Sequence, residues 1–250
     1  MAASTILIPL PDADFDVTEV SVPWKLLTEA GHRAVFFTEK GPAGAPAAAD
    51  PRLLSGVLFG QLGADPEPKS FYAEMLASPE FRSPRAWSEL SSRAGDALLL
   101  PGGHAPGMRQ YLGSELLQAK VAAFFESGKP TAAICHGVLL LARARGKDGQ
   151  SVLRERRTTS LTKYQERLAY YLTAWKLGRY YRTYPEYVED EVKSLLRDPA
   201  AQYQRGPIVL TARGTREDSR AAFVVEDGSY VSARWPGDAY LFARKLLERL

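Results

Sequence analysis

The sequence is poor in cysteine and histidine. Among 250 residues it has one cysteine, Cys135, and three histidines, His32, His104 and His136. A single thiol excludes an internal disulfide framework and any zinc site built from several thiolates. The histidines lie far apart in the sequence or in glycine-rich turns, without metal-ligand spacing, so no metal ion and no other cofactor is expected.

The chain also lacks long apolar runs and a strong net charge. No apolar run approaches the ~20 residues of a membrane span, and the N-terminal residues show no signal-peptide pattern. The formal net charge is +3, the basic residues are spread along the sequence, and no nucleic-acid-binding module is found. We therefore expect no nucleic-acid or membrane partner, and a reducing cytoplasm is the predicted compartment.

Alternating apolar and amphipathic segments predict an α/β protein. Runs rich in leucine and β-branched residues indicate buried strands, and segments with helical periodicity separate them. This alternation is typical of a doubly wound, mostly parallel sheet with helices on both faces. Strands are predicted at 5–9, 32–38, 96–100, 130–134, 158–161, 208–211, 221–225 and 230–232, and helices at 17–30, 71–78, 84–92, 114–127, 137–145, 188–196 and 236–250.

Two segments depart from this alternation. Residues from about 45 to 94 carry helical stretches with no clear strand, which indicates a helical insertion over one end of the sheet. Residues from about 164 to 190 are rich in tyrosine and arginine. Aromatic residues at helical spacing favour packing or a dimer contact, with a pocket wall as the alternative. The chain is predicted to form a single domain over 1–250 with these two insertions.

The sharpest motif is a strand that turns directly into a helix at Cys135. Ala132-Ala133-Ile134 precedes this cysteine, and His136-Gly137 follows it. A nucleophile at such a turn projects from the carboxyl edge of a parallel sheet, where ligands bind in doubly wound folds. The N-terminus of the next helix lowers a thiol pKa and stabilises an oxyanion. Taken alone, the motif also fits a buried structural cysteine.

A pair of glycines ends the preceding predicted strand. Pro101-Gly102-Gly103-His104 follows three leucines. Glycine allows a backbone N–H to approach a reacting atom closely. Gly103 is therefore a candidate oxyanion donor opposite the N–H of His136, with a plain tight turn as the alternative.

These motifs together resemble the DJ-1/PfpI superfamily, which is related to class I glutamine amidotransferases. The resemblance rests on 98–104, on Ala133-Ile134-Cys135-His136-Gly137, on 15–20 with Pro23-Trp24, and on 231–238. It covers most of the chain, and the insertion and the Gly-Gly-His turn bring it nearest the Hsp31-like branch. It implies a flavodoxin-like fold, a homodimer and a reactive cysteine.

The resemblance also implies an acidic partner for the cysteine, and Glu19 matches that position. As a first-turn residue of the first helix, Glu19 lies at the same sheet edge as Cys135. It could donate a proton to the thiolate or act as a general acid or base. The alternative is a glutamate that only stabilises the helix N-terminus.

Hsp31-like proteins also use an acidic residue after the next strand to orient the histidine. Placement of this segment on 159–166 points to Glu166 as the group that orients His136. A solvated glutamate is the alternative, and Glu186, Glu189 and Asp190 are rival candidates. Gly102 and His104 are candidate substrate-binding residues because they flank Gly103 in the turn, although His104 could simply cap it.

Three functions are compatible with these residues. The first is a cofactor-independent enzyme of the glyoxalase III or deglycase kind, in which Cys135 attacks a small carbonyl compound such as methylglyoxal to form lactate. The second is an amidase or peptidase-type hydrolase with a Cys135, His136 and Glu166 triad. The third is a stress chaperone or a sensor in which Cys135 is oxidised reversibly. A histidine directly after the cysteine disfavours a pure sensor.

Overall fold

The computed structural model describes residues 2–44 and 46–250. Residue 45, where the predicted helical insertion begins, lies outside this part of the chain. The strands are β1 (Thr5–Pro9), β2 (Ala13–Phe15), β3 (Arg33–Thr38), β4 (Ala48–Ala49), β5 (Arg85–Ala86), β6 (Ala97–Leu100), β7 (Thr131–Ile134), β8 (Val224–Asp227) and β9 (Tyr230–Ala233). The α-helices are α1 (Val17–Glu29), α2 (Pro51–Ser55), α3 (Pro66–Ala77), α4 (Pro79–Arg82), α5 (Met108–Leu112), α6 (Glu115–Phe125), α7 (Gly137–Arg143), α8 (Lys163–Leu177), α9 (Val188–Ser194), α10 (Pro199–Gln202) and α11 (Ala239–Leu247). Short 3₁₀ turns occupy Gly41–Ala43, Trp87–Glu89 and Pro236–Asp238.

Seven strands form the main sheet, in the order β5-β3-β1-β6-β7-β9-β8. All neighbouring pairs in it are parallel except β8 and β9, which are antiparallel. Strands β1, β6 and β7 occupy its middle and are almost entirely buried apolar residues, as expected for strands covered on both faces. Strands β2 and β4 form a separate short parallel ladder.

The helices pack in two groups, one on each face of the sheet. Helix α1 contacts α3 and α11, whereas α7 contacts α5, α6 and α9. This is the predicted flavodoxin-like, doubly wound arrangement, and it is confirmed. Because the parallel strands end at one edge, the turns after β1, β6 and β7 come together there.

The segment predicted as a helix at 84–92 is instead a short strand followed by a 3₁₀ turn. Strand β5 pairs with the end of β3, through Arg85 beside Phe37 and Ala86 beside Thr38. The buried indole of Trp87 donates to the carbonyl of Leu10 (3.2 Å). This anchoring to the core and the free edge of β3 override the local helical pattern. The insertion is therefore not purely helical.

Two other predicted strands are absent from the described residues. Thr158 forms only an isolated bridge with Tyr203, and the N–H of Thr159 donates to the Ser232 hydroxyl (3.0 Å) instead of to a neighbouring strand. Residues 208–211 are irregular, and Ile208 is 76% exposed. At 158–161 a side-chain hydrogen bond takes the place of the strand pairing that the apolar pattern predicted. At 208–211 the backbone is irregular and the apolar side chain of Ile208 is exposed to solvent instead of buried in the sheet.

Candidate active site

Cys135 lies at the turn between β7 and α7. Its backbone adopts φ = +58°, a left-handed conformation that costs a non-glycine residue about 1 kcal/mol or more. The side chain is only 2% exposed. A hydrogen bond from the Cys135 N–H to the carbonyl of Ala233 (3.0 Å) stabilises the turn. The turn also requires glycine at position 137, because a Cβ there would lie 2.1 Å from the carbonyl oxygen of Leu100. Such a strained, over-determined turn is typical of a nucleophile.

Glu19 reaches the same point from the first turn of α1. This helix begins at Asp16, whose carboxylate accepts from the N–H groups of Thr18 (2.8 Å) and Glu19 (3.1 Å). The fully buried Glu19 carboxyl accepts from the Gly102 N–H through Oε2 (2.8 Å). Its other oxygen, Oε1, has no hydrogen-bond partner among the described residues. The Cys135 side chain lies close enough to Glu19 to affect the pKa of this carboxyl group.

Gly102 allows these groups to meet. A Cβ at this position would lie 2.7 Å from the backbone nitrogen of His136 and 2.9 Å from both the Cys135 Cβ and Glu19 Oε2. Any larger residue would therefore separate the acid from the thiol. Gly102 was predicted to bind substrate, but it lies behind the reactive groups and does not line the cavity.

Burial dominates the electrostatics of the acid and the thiol. Burial and the nearby Asp16 raise the pKa of Glu19 well above its ordinary value, which favours the protonated form of this carboxyl group. Burial also raises the pKa of Cys135, followed by the nearby carboxyls of Glu19 and Asp16, and a hydrogen bond from the His136 N–H only partly opposes this. The position of Cys135 before a helix N-terminus predicted a lowered thiol pKa. Desolvation outweighs the effect of the helix, and the thiol pKa is raised instead.

His136 lies beside the thiol as a neutral base. Its Nδ1 is 3.6 Å from the Cys135 Sγ. Burial, followed by the proximity of the His104 imidazole and the positive charges of Arg143 and Arg182, lowers the pKa of His136 well below its usual value. The imidazole is therefore uncharged at neutral pH and able to accept the thiol proton.

His104 completes the cluster from the turn after β6. Its ring contacts the His136 ring edge to face, with centroids 4.9 Å apart, and burial lowers the pKa of His104 to about 4. Its Nε2 is buried and has no hydrogen-bond partner among the described residues. Although far apart in the sequence, His104, Cys135 and His136 place their potential ligand atoms within 4.8 Å of one another. Two imidazoles and a thiolate are ligand types suited to Zn²⁺.

The sequence suggested that Glu166 orients His136. In the structure Glu166 makes no direct hydrogen bond to His136. Its buried carboxylate accepts from Arg182 Nη1 (2.9 Å) and from the Val188 N–H (3.0 Å). Burial raises the pKa of Glu166 to about 7, although the interactions with Val188 and Arg182 act to lower this pKa. The positive charge of Arg182 also contributes to the lowered pKa of His136.

The rival acidic residues also bind elsewhere. Glu189 accepts from the Lys163 N–H (2.9 Å) and pairs with Lys193 and Arg205, and Asp190 pairs with Lys163 Nζ (2.6 Å). Glu186 is exposed. No carboxylate in 2–44 or 46–250 therefore accepts a hydrogen bond from His136.

A cavity of about 600 Å³ opens over Cys135. The reactive end of this cavity was predictable from the sequence. Most of its wall residues were not, because they come from segments far apart along the chain. Arg213 carried no local signal at all, and Trp235 lies in the segment 231–238 that resembles the family but was not predicted to line a cavity. The lining residues are Asp16, Thr18, Glu19, Leu53, Val57, Leu62, Gly63, Ala64, Asp65, Gly103, His104, Cys135, Leu161, Gln165, Leu168, Ala169, Leu172, Thr173, Tyr181, Leu210, Thr211, Arg213, Thr215, Trp235 and Pro236.

The fold and this site define a class: flavodoxin-like α/β proteins with a cysteine at a strand-to-helix turn and a carboxylic acid beside it. Residues 10–207 match the family described as ThiJ/PfpI family-like. The chain belongs to the ThiJ/PfpI family, which confirms the superfamily recognised from its motifs.

Relatives cover most of the chain. An uncharacterised protein of Schizosaccharomyces pombe is 30% identical over 96% of this chain and 81% of its own length. A deglycase of Thermococcus kodakarensis is 28% identical over 66% of this chain and 68% of its own length. Such relatives support an enzymatic activity of the DJ-1/PfpI type.

Solved structures show the same fold. Glyoxalase III from Candida albicans superposes with a TM-score of 0.65 at 18% identity, covering 98% of this chain and 97% of that one. The DJ-1beta protein of Drosophila melanogaster gives 0.58 at 16% identity, covering 99% and 91%. No helix in the described part of the chain is long and apolar enough to cross a membrane.

Proposed function

We propose that this chain is a cofactor-independent cysteine enzyme that converts small 2-oxoaldehydes such as methylglyoxal into 2-hydroxy acids such as lactate. The observation that carries the proposal is that Cys135 and the Glu19 carboxyl group meet at Gly102, with the His136 imidazole beside the thiol and a cavity next to both. The deglycase and glyoxalase III among the related proteins support carbonyl chemistry.

In the first step Cys135 adds to the aldehyde carbon. The sulfur–carbon bond forms while the thiol proton passes to Nδ1 of His136, and the protonated Glu19 donates its proton to the carbonyl oxygen. The product is a hemithioacetal. The backbone N–H groups of Gly103 and His136 are the proposed oxyanion donors; within the described residues the Gly103 N–H has no protein acceptor.

In the second step Glu19, now ionised, takes the proton from the former aldehyde carbon, the protonated His136 gives its proton to the neighbouring carbonyl oxygen, and an enediol forms. Glu19 then returns its proton to the neighbouring carbon while the hydroxyl group on the former aldehyde carbon loses its proton to His136, which leaves a thioester of the 2-hydroxy acid on Cys135. Water hydrolyses the thioester, which releases the 2-hydroxy acid, restores the thiol and returns Glu19 and His136 to their starting protonation states. The sum is one aldehyde and one water converted into one hydroxy acid, with no oxidant, reductant or cofactor.

The test is lactate formation from methylglyoxal without glutathione. Stereospecific lactate dehydrogenases would quantify the D and L products. We expect turnover in the wild type, none in Cys135→Ala, and at most a trace in Cys135→Ser, which retains the size of the side chain. Turnover that persists in Cys135→Ala, or its absence from folded wild type, contradicts the proposal.

The hydrolase and the sensor are less well supported. A Cys-His-Glu hydrolase needs a carboxylate on the histidine, and Glu166 is bound to Arg182 instead. An oxidation sensor needs an accessible thiolate, whereas burial keeps the Cys135 thiol protonated. Amide or ester turnover that depends on Cys135 would favour the hydrolase. Suppression of client aggregation that survives Cys135→Ala would favour a chaperone.

A further inference from the structure

The active-site cavity is far larger than methylglyoxal needs. We propose that its substrates are 2-oxoaldehydes with a long, uncharged alkyl or aromatic group, held along an apolar wall that ends at Cys135. This inference rests on the proposed carbonyl chemistry and adds the class of substrate. At about 600 Å³ the cavity has roughly the liquid volume of twenty water molecules. Cavities of that size usually enclose a much larger organic ligand.

One wall of the cavity is a single face of α8. Gln165, Leu168, Ala169, Leu172 and Thr173 all line it. Their spacing of three and four residues places them on the same side of the helix. The tyrosine- and arginine-rich segment thus contributes three aliphatic side chains to the cavity, together with Gln165, Thr173 and Tyr181.

Other segments add further apolar side chains to the lining. Leu53, Val57 and Leu62 come from α2 and the loop after it, and Leu210 and Trp235 come from the C-terminal part of the chain. A group placed against these side chains would lose contact with water. Each buried methylene would then tighten binding by about fourfold.

The reactive groups of the cavity are buried, and its apolar side chains are more exposed to solvent. At the deep end, Glu19 and Cys135 are at most 2% exposed. At the mouth, Leu62, Leu172 and Leu210 are 45%, 44% and 58% exposed. A carbonyl carbon at Cys135 therefore leaves the rest of a long substrate against the apolar side chains nearer to solvent, which the substrate would cover.

The charged groups in the cavity favour an uncharged substituent. The one cationic side chain in the described lining, Arg213, already contacts Asp65 Oδ2 (3.4 Å) and the carbonyl of Gly63 (3.3 Å). An anionic substituent would compete with Asp65 for Arg213 and would also face Asp16. An alkyl or aryl group meets no such penalty.

The first test compares kcat/KM for methylglyoxal, propylglyoxal and hexylglyoxal. We expect kcat/KM to rise at least tenfold from methylglyoxal to hexylglyoxal, mainly through KM. Ala169→Phe fills the middle of the apolar wall and should lower the ratio of hexylglyoxal to methylglyoxal kcat/KM at least tenfold. The matched control is Arg167→Phe, an exposed position on the same helix that does not line the cavity and should leave this ratio unchanged.

The second test measures binding without turnover. The quenching of tryptophan fluorescence would give Kd values for methyl hexyl ketone and ethyl methyl ketone with the Cys135→Ala protein. We expect the longer ketone to bind at least tenfold more tightly, and Ala169→Phe to abolish the difference.

The two tests separate the two proposals. Equal Kd values for the ketones, or a preference for methylglyoxal over hexylglyoxal, overturn the apolar-substrate inference even if methylglyoxal is turned over. Selective binding of the long ketone, with no turnover of any 2-oxoaldehyde, supports the inference about the cavity and overturns the proposed reaction.

Discussion

At the scale of single residues, the protonation state of Glu19 decides what the site can do. A buried carboxyl group that is neutral at rest can donate a proton to a carbonyl oxygen and then act as a base. Glutamine keeps the size of the side chain and an oxygen for the Gly102 N–H, but it cannot exchange a proton. Glu19→Gln therefore separates the structural contribution from the chemical one.

We predict that Glu19→Gln lowers kcat by at least about a hundredfold with little loss of stability. Since the fold favours the neutral form of Glu19, the wild type loses stability as pH rises above the ordinary pKa of 4.5, and the variant lacks that contribution. Lactate assays and urea unfolding at pH 5 to 8 measure both effects. Glu115→Gln, an exposed first-turn glutamate of α6, is the control. Wild-type kcat in Glu19→Gln would falsify the acid–base assignment.

Asp16 offers a second prediction, about stability alone. Burial raises the pKa of Asp16 from 3.8 to about 6, so the folded protein binds the proton more tightly than the unfolded chain does. Its contribution to the free energy of unfolding is present below pH 4 and falls as pH rises to about 6, by up to about 3 kcal/mol.

Asp16→Asn retains a side chain able to begin α1 while it removes this titration. We expect the difference in unfolding free energy, variant minus wild type, to become more positive between pH 4 and 6 and then to level off. Urea unfolding at four pH values between 4 and 7 measures this difference, which cancels the contribution of acidic groups that do not interact with Asp16. A difference that is flat across this range contradicts the raised pKa.

At the scale of secondary-structure elements, the junction between β7 and α7 tolerates no extra atom. The Cβ of Gly137→Ala would lie 2.1 Å from the Leu100 carbonyl, which belongs to the neighbouring strand and cannot move independently. We predict a loss of about 3 kcal/mol or more, or failure to fold.

Thermal unfolding and the yield of soluble protein measure the effect. Gly146→Ala is a suitable control because its nearest contact, at 2.8 Å, is the end of the flexible Glu126 side chain. A melting temperature for Gly137→Ala that equals that of Gly146→Ala is incompatible with the tight junction.

The pair of Glu166 and Arg182 acts between elements. Glu166 lies in the first turn of α8, its carboxylate accepts from the first N–H of α9, and Arg182 lies on the segment between the two helices. Removal of one partner leaves the other charge buried without compensation. We predict that Glu166→Ala destabilises the fold by about 3 kcal/mol and lowers kcat by less than about tenfold at a temperature where the variant is folded.

Glu155→Ala is the comparison, because Glu155 pairs with Arg197 at the surface and should contribute less than about 1 kcal/mol. Chemical unfolding and lactate assays would be run on both variants. If Glu166→Ala instead loses activity a thousandfold while its stability is unchanged, Glu166 acts in catalysis after all.

At the scale of the whole molecule, the sheet and its reactive edge were largely predictable. Strand β1 was predicted with its observed bounds, because an uninterrupted apolar run between polar residues leaves little choice. The turn at Cys135 was predictable because a strand passes into a helix with only glycine to relieve the crowding. Both patterns depend on neighbours in the sequence.

What could not be predicted depends on distant neighbours. Strand β5 is only two residues long and exists because the edge of β3 is available. Glu166 looked like a catalytic carboxylate because nothing nearby in the sequence reveals that Arg182 folds back onto it. The cavity is assembled from several separate segments, so its volume had no sequence signal. The predicted homodimer stays a prediction, which light scattering can test.

The meeting of α1, the turn after β6 and the turn after β7 around Gly102 has a practical consequence. No local fragment of the chain contains the thiol, the acid and the space between them. Chemical activity is therefore a property of the native state alone, and it can report on folding. Turnover and circular dichroism should disappear over the same range of denaturant, so that a rapid activity assay can rank the stability of variants without purification to homogeneity.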